Sequence, residues 1–346
     1  MLSSGRVTGI IVTKGRYFMA TLKEVAALAG VSQAAVSRFL NNDPRLSLPD
    51  STRQRILDAV SELGYVKKTR KNRDPNRVGI LHWYSLEQEL ADPYYLSIRS
   101  GIEEYCAREQ LQIVRLFKAD AHIRDVFGSI DGLICLGKFS RQEMTEFTSL
   151  CPSVVFVDMS SPDPAFTTIS FDFENAMKDV MERIARKGHR RVAFVTGKES
   201  LNDATEYPDP RLPLFRSYAE KLGFEFEPYL MTGEFTRESG YEMGLQLALK
   251  NPLPTCILCA SDPIAIGVSA ALASHDLKIP EDVSVVGFDD IEDVRYTNPP
   301  LSSVRLDSFT MGQYAGIMMK MMLENPHPLP AAVKLPCSFS DRGSLM

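Results

Sequence analysis

Residues 21–42 read TLKEVAALAGVSQAAVSRFLNN, and their spacing predicts two short helices joined by a tight turn. Thr21 followed three residues later by Glu24 is a capping box, so the first helix is expected to start at Leu22. Gly30 supplies the left-handed residue that ends it, and Ser32 caps the second helix. In that second helix Val36, Phe39 and Leu40 form the inward stripe, which leaves Gln33, Ala34, Ser37, Arg38 and Asn41 on the opposite face. The outer face carries no large apolar group and suits a DNA major groove. Gln33 matches the N6/N7 edge of adenine, Arg38 the O6/N7 edge of guanine, and Ala34 or Ala35 a thymine methyl. Thr21, Leu22, Ser32, Ser37 and the amino terminus of the helix complete the candidate DNA-facing set, the hydroxyls being suited to phosphates. A third helix is expected from about Pro49, packing Ile56, Leu57, Val60 and Leu63 and ending at Gly64. Spacing alone also fits an ordinary helical hairpin.

Charge separates the two readings. The 346 residues carry a net −5, yet residues 19–77 hold eleven Lys/Arg against six Asp/Glu, and residues 1–18 add three positive charges and no acid. The body is therefore strongly acidic behind a basic head, which confines attraction for phosphates to one end. Residues 1–18 lack a helical period and are expected to be a disordered extension, followed by a head over 19–66 and a basic linker over 67–76. No apolar stretch is long enough to span a bilayer and no signal-peptide pattern opens the chain, so a cytoplasmic protein with no membrane contact is expected. Six scattered cysteines suit a reducing compartment. Cys256 and Cys259 have redox or metal spacing, but in Thr-Cys-Ile-Leu-Cys-Ala they read as opposite faces of a buried strand.

From residue 77 onward, Val- and Ile-rich runs alternate with amphipathic segments: Val78–Leu81, Ile113–Phe117, Gly132–Leu136, Val154–Val157, Val192–Val195, Cys256–Cys259 and Val283–Gly287. Continuous apolar strands separated by helices indicate parallel sheets covered on both faces. The runs are too many for one comfortable sheet. The expected fold class is thus α/β, a three-helix helix-turn-helix domain followed by two doubly wound parallel-sheet subdomains. Ligands of such sheets sit at the carboxyl ends of strands. No Gly-rich phosphate loop follows the first strand, which runs on as Leu81-His82-Trp83-Tyr84-Ser85, and no nucleophile–base grouping is visible, so an enzyme is not expected and no cofactor is called for. The acids Asp289, Asp290, Glu292 and Asp293 lack the pattern of a calcium loop and are read as a cap and a solvated turn, with no metal.

Thr21–Ala26, Ala29–Ser32, Val36–Arg38, Leu40–Asn42, Thr52-Arg53 and Leu63–Tyr65 together resemble the head of the lactose/galactose repressor (LacI/GalR) family. Gly188–Ala193, Ala260–Asp262, Ile279–Asp290 and Pro299–Val304 resemble its regulatory core. Gln88–Glu103 and Ala260–Val268 look most like the galactose-repressor and evolved-β-galactosidase-repressor branch. The resemblance implies a periplasmic-binding-protein-like body over 77–346. Its N-subdomain takes in about 77–173 and 308–334, and its C-subdomain about 174–307 and 335–346. It further implies a homodimer on palindromic operator DNA, repressing sugar-utilisation genes until a small sugar effector, a galactoside on the branch resemblance, fills the cleft. A corepressor-dependent regulator using a different sugar or a nucleoside-like effector remains the alternative, and a periplasmic-type sugar-binding protein is opposed by the head.

The resemblance places the effector between the subdomains, where sugar hydroxyls ask for carboxylates, a forked guanidinium and an aromatic face. Asp158, Arg211 and Asp289 are expected at strand exits, the first after Val154–Val157 and the last after Val283–Gly287. Phe235 falls where the lactose branch has a stacking aromatic, and Ser261 stands where Asn is more usual. The alternatives are helix caps for Asp158 and Asp289, a surface cation for Arg211 and a core ring for Phe235. Tyr84–Tyr95 is expected to be a loop forming one wall, with Asp92 or Tyr95 reaching in. Two departures from the family stand in the head. Val66–Arg73 replaces the usual hinge pattern, which points to a basic linker making nonspecific phosphate contacts instead of a hinge helix with a leucine wedge. Ala35 replaces a common Thr. No leucine heptads follow Gly343, so no tetramerising tail is expected.

Overall fold

The computed structural model describes residues 21–40, 46, 48–63, 65, 76–85, 93–120, 123–202, 205–325 and 329–346, with Asn202 by its backbone alone. The extension, Asn41, Gly64, Asp92 and the hinge segment 66–73, on which expectations were placed, lie outside these residues. The chain divides into two compact units, 1–74 and 75–346.

In the first unit α1 (Leu22–Ala29), α2 (Gln33–Leu40) and α3 (Asp50–Glu62) enclose a small core of Val25, Ala26, Ala29, Val36, Ile56 and Ala59. The capping box forms in both directions: the Thr21 hydroxyl accepts from the Glu24 amide at 3.3 Å, and the Glu24 carboxylate accepts the Thr21 amide at 2.6 Å. These hydrogen bonds hold the Glu24 carboxyl below its usual pKa. Gly30 ends α1 at φ 65°, a conformation that a side chain would disfavour. The Ser32 hydroxyl accepts the Ala35 amide at 3.1 Å and so caps α2. The structure departs from the sequence reading in α3. Pro49 is the residue before the helix, Ala59 takes an inward position, and Leu57 is 48% exposed.

In the second unit each half is an α/β sheet. The first sheet runs β13 (Ala332–Leu335), β5 (Thr167–Phe171), β4 (Val154–Val157), β3 (Gly132–Leu136), β1 (Arg77–His82), β2 (Gln112–Phe117), all parallel. The second runs β14 (Ser338–Ser340), β12 (Ser302–Arg305), β11 (Ser284–Asp289), β10 (Cys256–Cys259), β6 (Val192–Gly197), β9 (Leu230–Gly233), with only the edge strand β14 antiparallel. Strands β1, β3, β4, β6 and β10 are almost wholly buried, as apolar runs covered on both faces must be. Cys256 and Cys259 join different core clusters, as residues three apart on a strand do, and all six cysteines are free thiols.

Both sheets begin in the middle. From β1 the chain goes out to β2 and returns to β3 on the other side, and from β6 it goes out to β9 and returns to β10. The strand order therefore reverses between β1 and β3 and again between β6 and β10, and the crevices at the carboxyl ends of those strands are where an open α/β sheet receives a ligand. Among the described residues the chain passes between the sheets three times: after β5, after β12, and between β13 and β14. Helix Pro93–Arg108 packs on helix Ser308–Glu324 so closely that a Cβ at Gly312 would run into the Ile98 carbonyl.

Among the described residues no helix is long and apolar enough to cross a membrane.

Candidate functional site

One cavity of about 390 Å³ lies where the carboxyl ends of the two sheets face each other. Tyr84 follows β1, Lys138 follows β3, Asp158 follows β4, Glu199 follows β6, Phe235 follows β9 and Ser261 follows β10, while Asp289 ends β11; all seven line it. The five residues singled out from the sequence, Asp158, Arg211, Phe235, Ser261 and Asp289, are thus brought to one wall system.

Asp158 is 5% exposed and accepts from three donors. The Tyr94 hydroxyl reaches Oδ1 at 2.7 Å, the Tyr95 hydroxyl reaches Oδ2 at 2.8 Å, and Lys138 Nζ lies 2.5 Å from Oδ2. Lys138 also donates to the Asp158 carbonyl. Burial, with Asp158 adding to it, raises both phenols well above the ordinary tyrosine range, so both stay donors. Burial works against the charge on Lys138, but Asp158 and Glu199 outweigh it and its pKa is raised. Asp158 therefore anchors a buried charge cluster and caps no helix; Asp172 caps the helix that follows.

Arg211 does not stand at a strand exit. An antiparallel hairpin, β7 (Glu199–Asn202) and β8 (Thr205–Tyr207), intervenes after β6, and Arg211 is the first residue of helix Arg211–Leu222. It is 8% exposed, which removes the surface-cation reading. Its guanidinium pairs with Asp209, donates to the Ala260 carbonyl at 2.5 Å, and sits 4.9 Å from the Phe235 ring centre and 5.2 Å from that of Phe173. Burial penalises the Asp209 charge, yet Arg211 holds that carboxyl below the usual range. Phe235 is half-buried and reaches this position because residue 197 is glycine; a Cβ there would stand 2.5 Å from the ring. The electron-rich faces of the two rings attract the guanidinium and help to fix it in the cavity wall.

Ser261 is both cavity wall and N-cap, its hydroxyl accepting the Ile264 amide at 3.4 Å. Asp158 and Asp289 hold positive φ of 64° and 104°, a conformation that costs a non-glycine residue about 1 kcal/mol or more and that gathers at functional sites. Two of the other acids of the 289–293 turn are engaged elsewhere, Asp290 with Arg342 at 2.5 Å and Asp293 with Arg237 at 2.5 Å. Among the described residues no group of three or more metal-ligating side chains gathers. Tyr94 and Tyr95 belong to the first turn of helix Pro93–Arg108, where the sequence suggested a loop.

Sequence reasoning missed Lys138, Tyr207, Asp209 and Glu199. Glu199 has a side chain 9% exposed, and burial pushes its carboxyl up to about 7 even though Lys138 and Arg211 pull the other way. The thirteen residues between Gly197 and Arg211 are the signal that was available: a connection much longer than the usual strand-to-helix loop generally carries structure of its own.

In the head, Thr21, Ser32, Gln33, Ala34 and Arg38 are exposed, Ala35 and Ser37 are half-buried on the same helix, and Val36 is fully buried. Leu22 is half-buried and packs against the core, so its contact with solvent is partial.

Residues 21–68 match the family model described as bacterial regulatory proteins, lacI family, and residues 180–345 match a periplasmic binding protein-like domain. The chain is 36% identical over 333 residues to the HTH-type transcriptional regulator GalR of Streptococcus thermophilus, covering 94% of this chain and 99% of that protein. It is 32% identical over 341 residues to the HTH-type transcriptional repressor MelR of Bacillus subtilis, covering 94% and 97%. Among solved structures, a transcriptional regulator CelR–cellobiose complex has TM-score 0.69 at 24% identity over 94% of this chain and 99% of that one. A lac repressor dimer bound to operator and the anti-inducer ONPF has TM-score 0.68 at 22% identity over 95% and 100%, and these two show the shared fold. A capped helix-turn-helix, two sheets that reverse their strand order at a common cavity, and these matches over nearly the whole length place the chain in the LacI family of bacterial transcriptional regulators.

Proposed function

We propose that this protein represses sugar-utilisation genes by binding palindromic operator DNA as a homodimer, and that a small sugar, a galactoside, releases it. The observation that carries the reading is the cavity at the strand exits. It combines buried carboxylates, a fixed guanidinium and an aromatic platform, the three groups that carbohydrate recognition requires. The names of the relatives GalR and MelR, and the cellobiose complex among similar folds, support a sugar; the relative GalR supports a galactoside.

Gln33, Ala34 and Arg38 read base edges in this account. Thr21, Ser32, Ser37 and the α2 amino terminus hold phosphates, Ala35 lies beside a thymine methyl, and Leu22 and Asn41 flank the contact. A single recognition helix buries little surface, so two copies on adjacent half-sites supply useful affinity. Asp158, Arg211, Phe235, Ser261 and Asp289 bind the effector. A sugar bound to both sheets favours the closed arrangement by its differential affinity for it, and that free energy is what is available to move the heads off the operator.

Gel retardation of the DNA upstream of the protein's own gene, with and without galactose, lactose and melibiose, tests both halves. Retardation relieved by a galactoside is the expected result. Retardation that no sugar relieves removes the effector assignment, and no retardation at low salt removes the operator assignment.

A further inference from the structure

The cavity's acids differ in how far their hydrogen-bonding capacity is used. Asp158 is saturated by two phenols and an ammonium, and Asp209 is clasped by Arg211. Glu199 is different. Its side chain is over nine-tenths buried and lines the cavity, yet among the described residues no group donates a hydrogen bond to its carboxylate, and the nearest ammonium, Lys138 Nζ, is 4.0 Å from Oε2. A carboxyl group that faces the cavity with no hydrogen-bond donor from the described residues is available to a ligand hydroxyl.

Glu199 stands on a hairpin that reaches both halves of the body. Its neighbours Lys198 and Ser200 are exposed while Glu199 itself lines the cavity, so it faces inward. The hairpin that carries it grows from the second sheet but is fastened to the first half of the body. Lys118, just after β2, donates to the Leu201 carbonyl at 2.6 Å, and Tyr207 packs on the core cluster of the first half and lies 5.1 Å from Lys138 Nζ. The hairpin is thus a strap joining both halves of the body at the cavity. A single pyranose does not fill about 390 Å³, and Glu199 and Tyr207 of this hairpin are part of the cavity's lining.

Resting on the sugar reading above, we propose that Glu199 is the size-selecting residue of the effector site, hydrogen-bonding a hydroxyl on the outer ring of a disaccharide and so favouring disaccharides over monosaccharides. Lys138 positions it by sharing its charge between Asp158 and Glu199.

Titration calorimetry of the full-length protein with galactose, lactose and melibiose tests this, using the wild type, Glu199→Ala, Glu199→Gln and Arg211→Ala. Glu199→Ala is expected to weaken the tighter-binding disaccharide by about tenfold and galactose by less than about threefold, the scale of one lost hydrogen bond. Glu199→Gln, which still donates and accepts, is expected to restore the disaccharide to within about threefold of wild type. Equal losses for galactose and disaccharide, no loss for either, or failure of Gln to restore binding would each overturn the assignment of Glu199. Arg211→Ala is expected to abolish uptake of all three sugars. Uptake of none by the wild type removes the sugar reading itself, and this inference with it, whereas sugars that bind regardless of residue 199 remove the inference alone.

Discussion

Arg211 and Asp209, two residues apart, form a closed clasp inside the cavity wall. Arg211 Nε lies 3.0 and 2.9 Å from the two carboxylate oxygens, Nη2 lies 2.5 Å from Oδ2, and the Arg211 amide donates to Oδ1 at 2.8 Å. The clasp holds the guanidinium plane against Phe235 while Ala260, on the far side of the second sheet's switch point, takes its remaining edge. A bidentate pair of this kind fixes orientation as well as charge.

Two substitutions separate those roles. Arg211→Ala is expected to leave operator retardation within about twofold while abolishing its relief by sugar, because the residue touches the cavity and belongs to a different compact unit from the head. Asp209→Asn instead leaves a buried guanidinium short of its counter-charge and is expected to lower stability by about 3 kcal/mol in a urea melt. Normal relief by sugar in the first variant, or an unchanged melt in the second, would contradict these assignments.

On the head, Arg38 is exposed on α2 while Val36 anchors the same helix in the core. Arg38→Ala is expected to cost about 1–3 kcal/mol of specific operator affinity, the value of a bidentate guanine contact, with little change in binding to unrelated DNA. Footprints of unchanged strength would remove Arg38 from base recognition.

Glu199 makes stability depend on pH in a predictable direction. Burial raises its carboxyl from the ordinary range to about 7, so the folded protein holds a proton that the unfolded chain has released. The resulting stabilisation is fully present below the unfolded value and is lost as pH rises through about 7. Glu199→Gln has no such proton to lose. Between about pH 6 and pH 8 the variant is expected to gain about 1 kcal/mol relative to wild type. Parallel melting curves for the two proteins across that range would contradict the assignment.

The crossing of helices Pro93–Arg108 and Ser308–Glu324 leaves no room at Gly312, where a methyl group meets the Ile98 carbonyl and the Ile102 amide. Gly312→Ala is expected to destabilise the body by about 1–3 kcal/mol through overpacking, read as a lower denaturant midpoint. A neutral or raised midpoint would show that the helices separate without cost.

Much of the molecule was legible because its signals are local. Thr21 with Glu24, Gly30 and Ser32 each specify their own turn of backbone, and the first two helices they predict are the helices observed. The central strands announce themselves as unbroken apolar runs. Other strands were silent for a physical reason: β5 buries Thr167, Thr168 and Ser170, and β12 buries Ser302 and Ser303, so hydroxyl side chains occupy positions where hydropathy looks for Val or Ile. The hairpin was silent for the same reason, since ESLN and TEY read as solvated loop. Asp158 and Asp289 were found because a strand exit can be read from the strand before it, whereas Phe235 and Ser261 came from the family resemblance. Glu199 also follows a strand, but a lone acid in a polar stretch looks like surface, and only the three-dimensional approach of Lys138 and Arg211 distinguishes it.

The triple passage of the chain between the two sheets decides how this protein can be cut and recombined. Each half of the body is assembled from separated stretches of sequence, so neither can be lifted out as one continuous cassette, and a single-junction chimera with a relative inherits a mismatched seam. The head is the opposite case, since one uninterrupted segment supplies it. A graft at the boundary near residue 75 exchanges the head in one piece, whereas exchanging the cavity takes matched stretches from several parts of the chain, which makes new operators easier to acquire by recombination than new effectors.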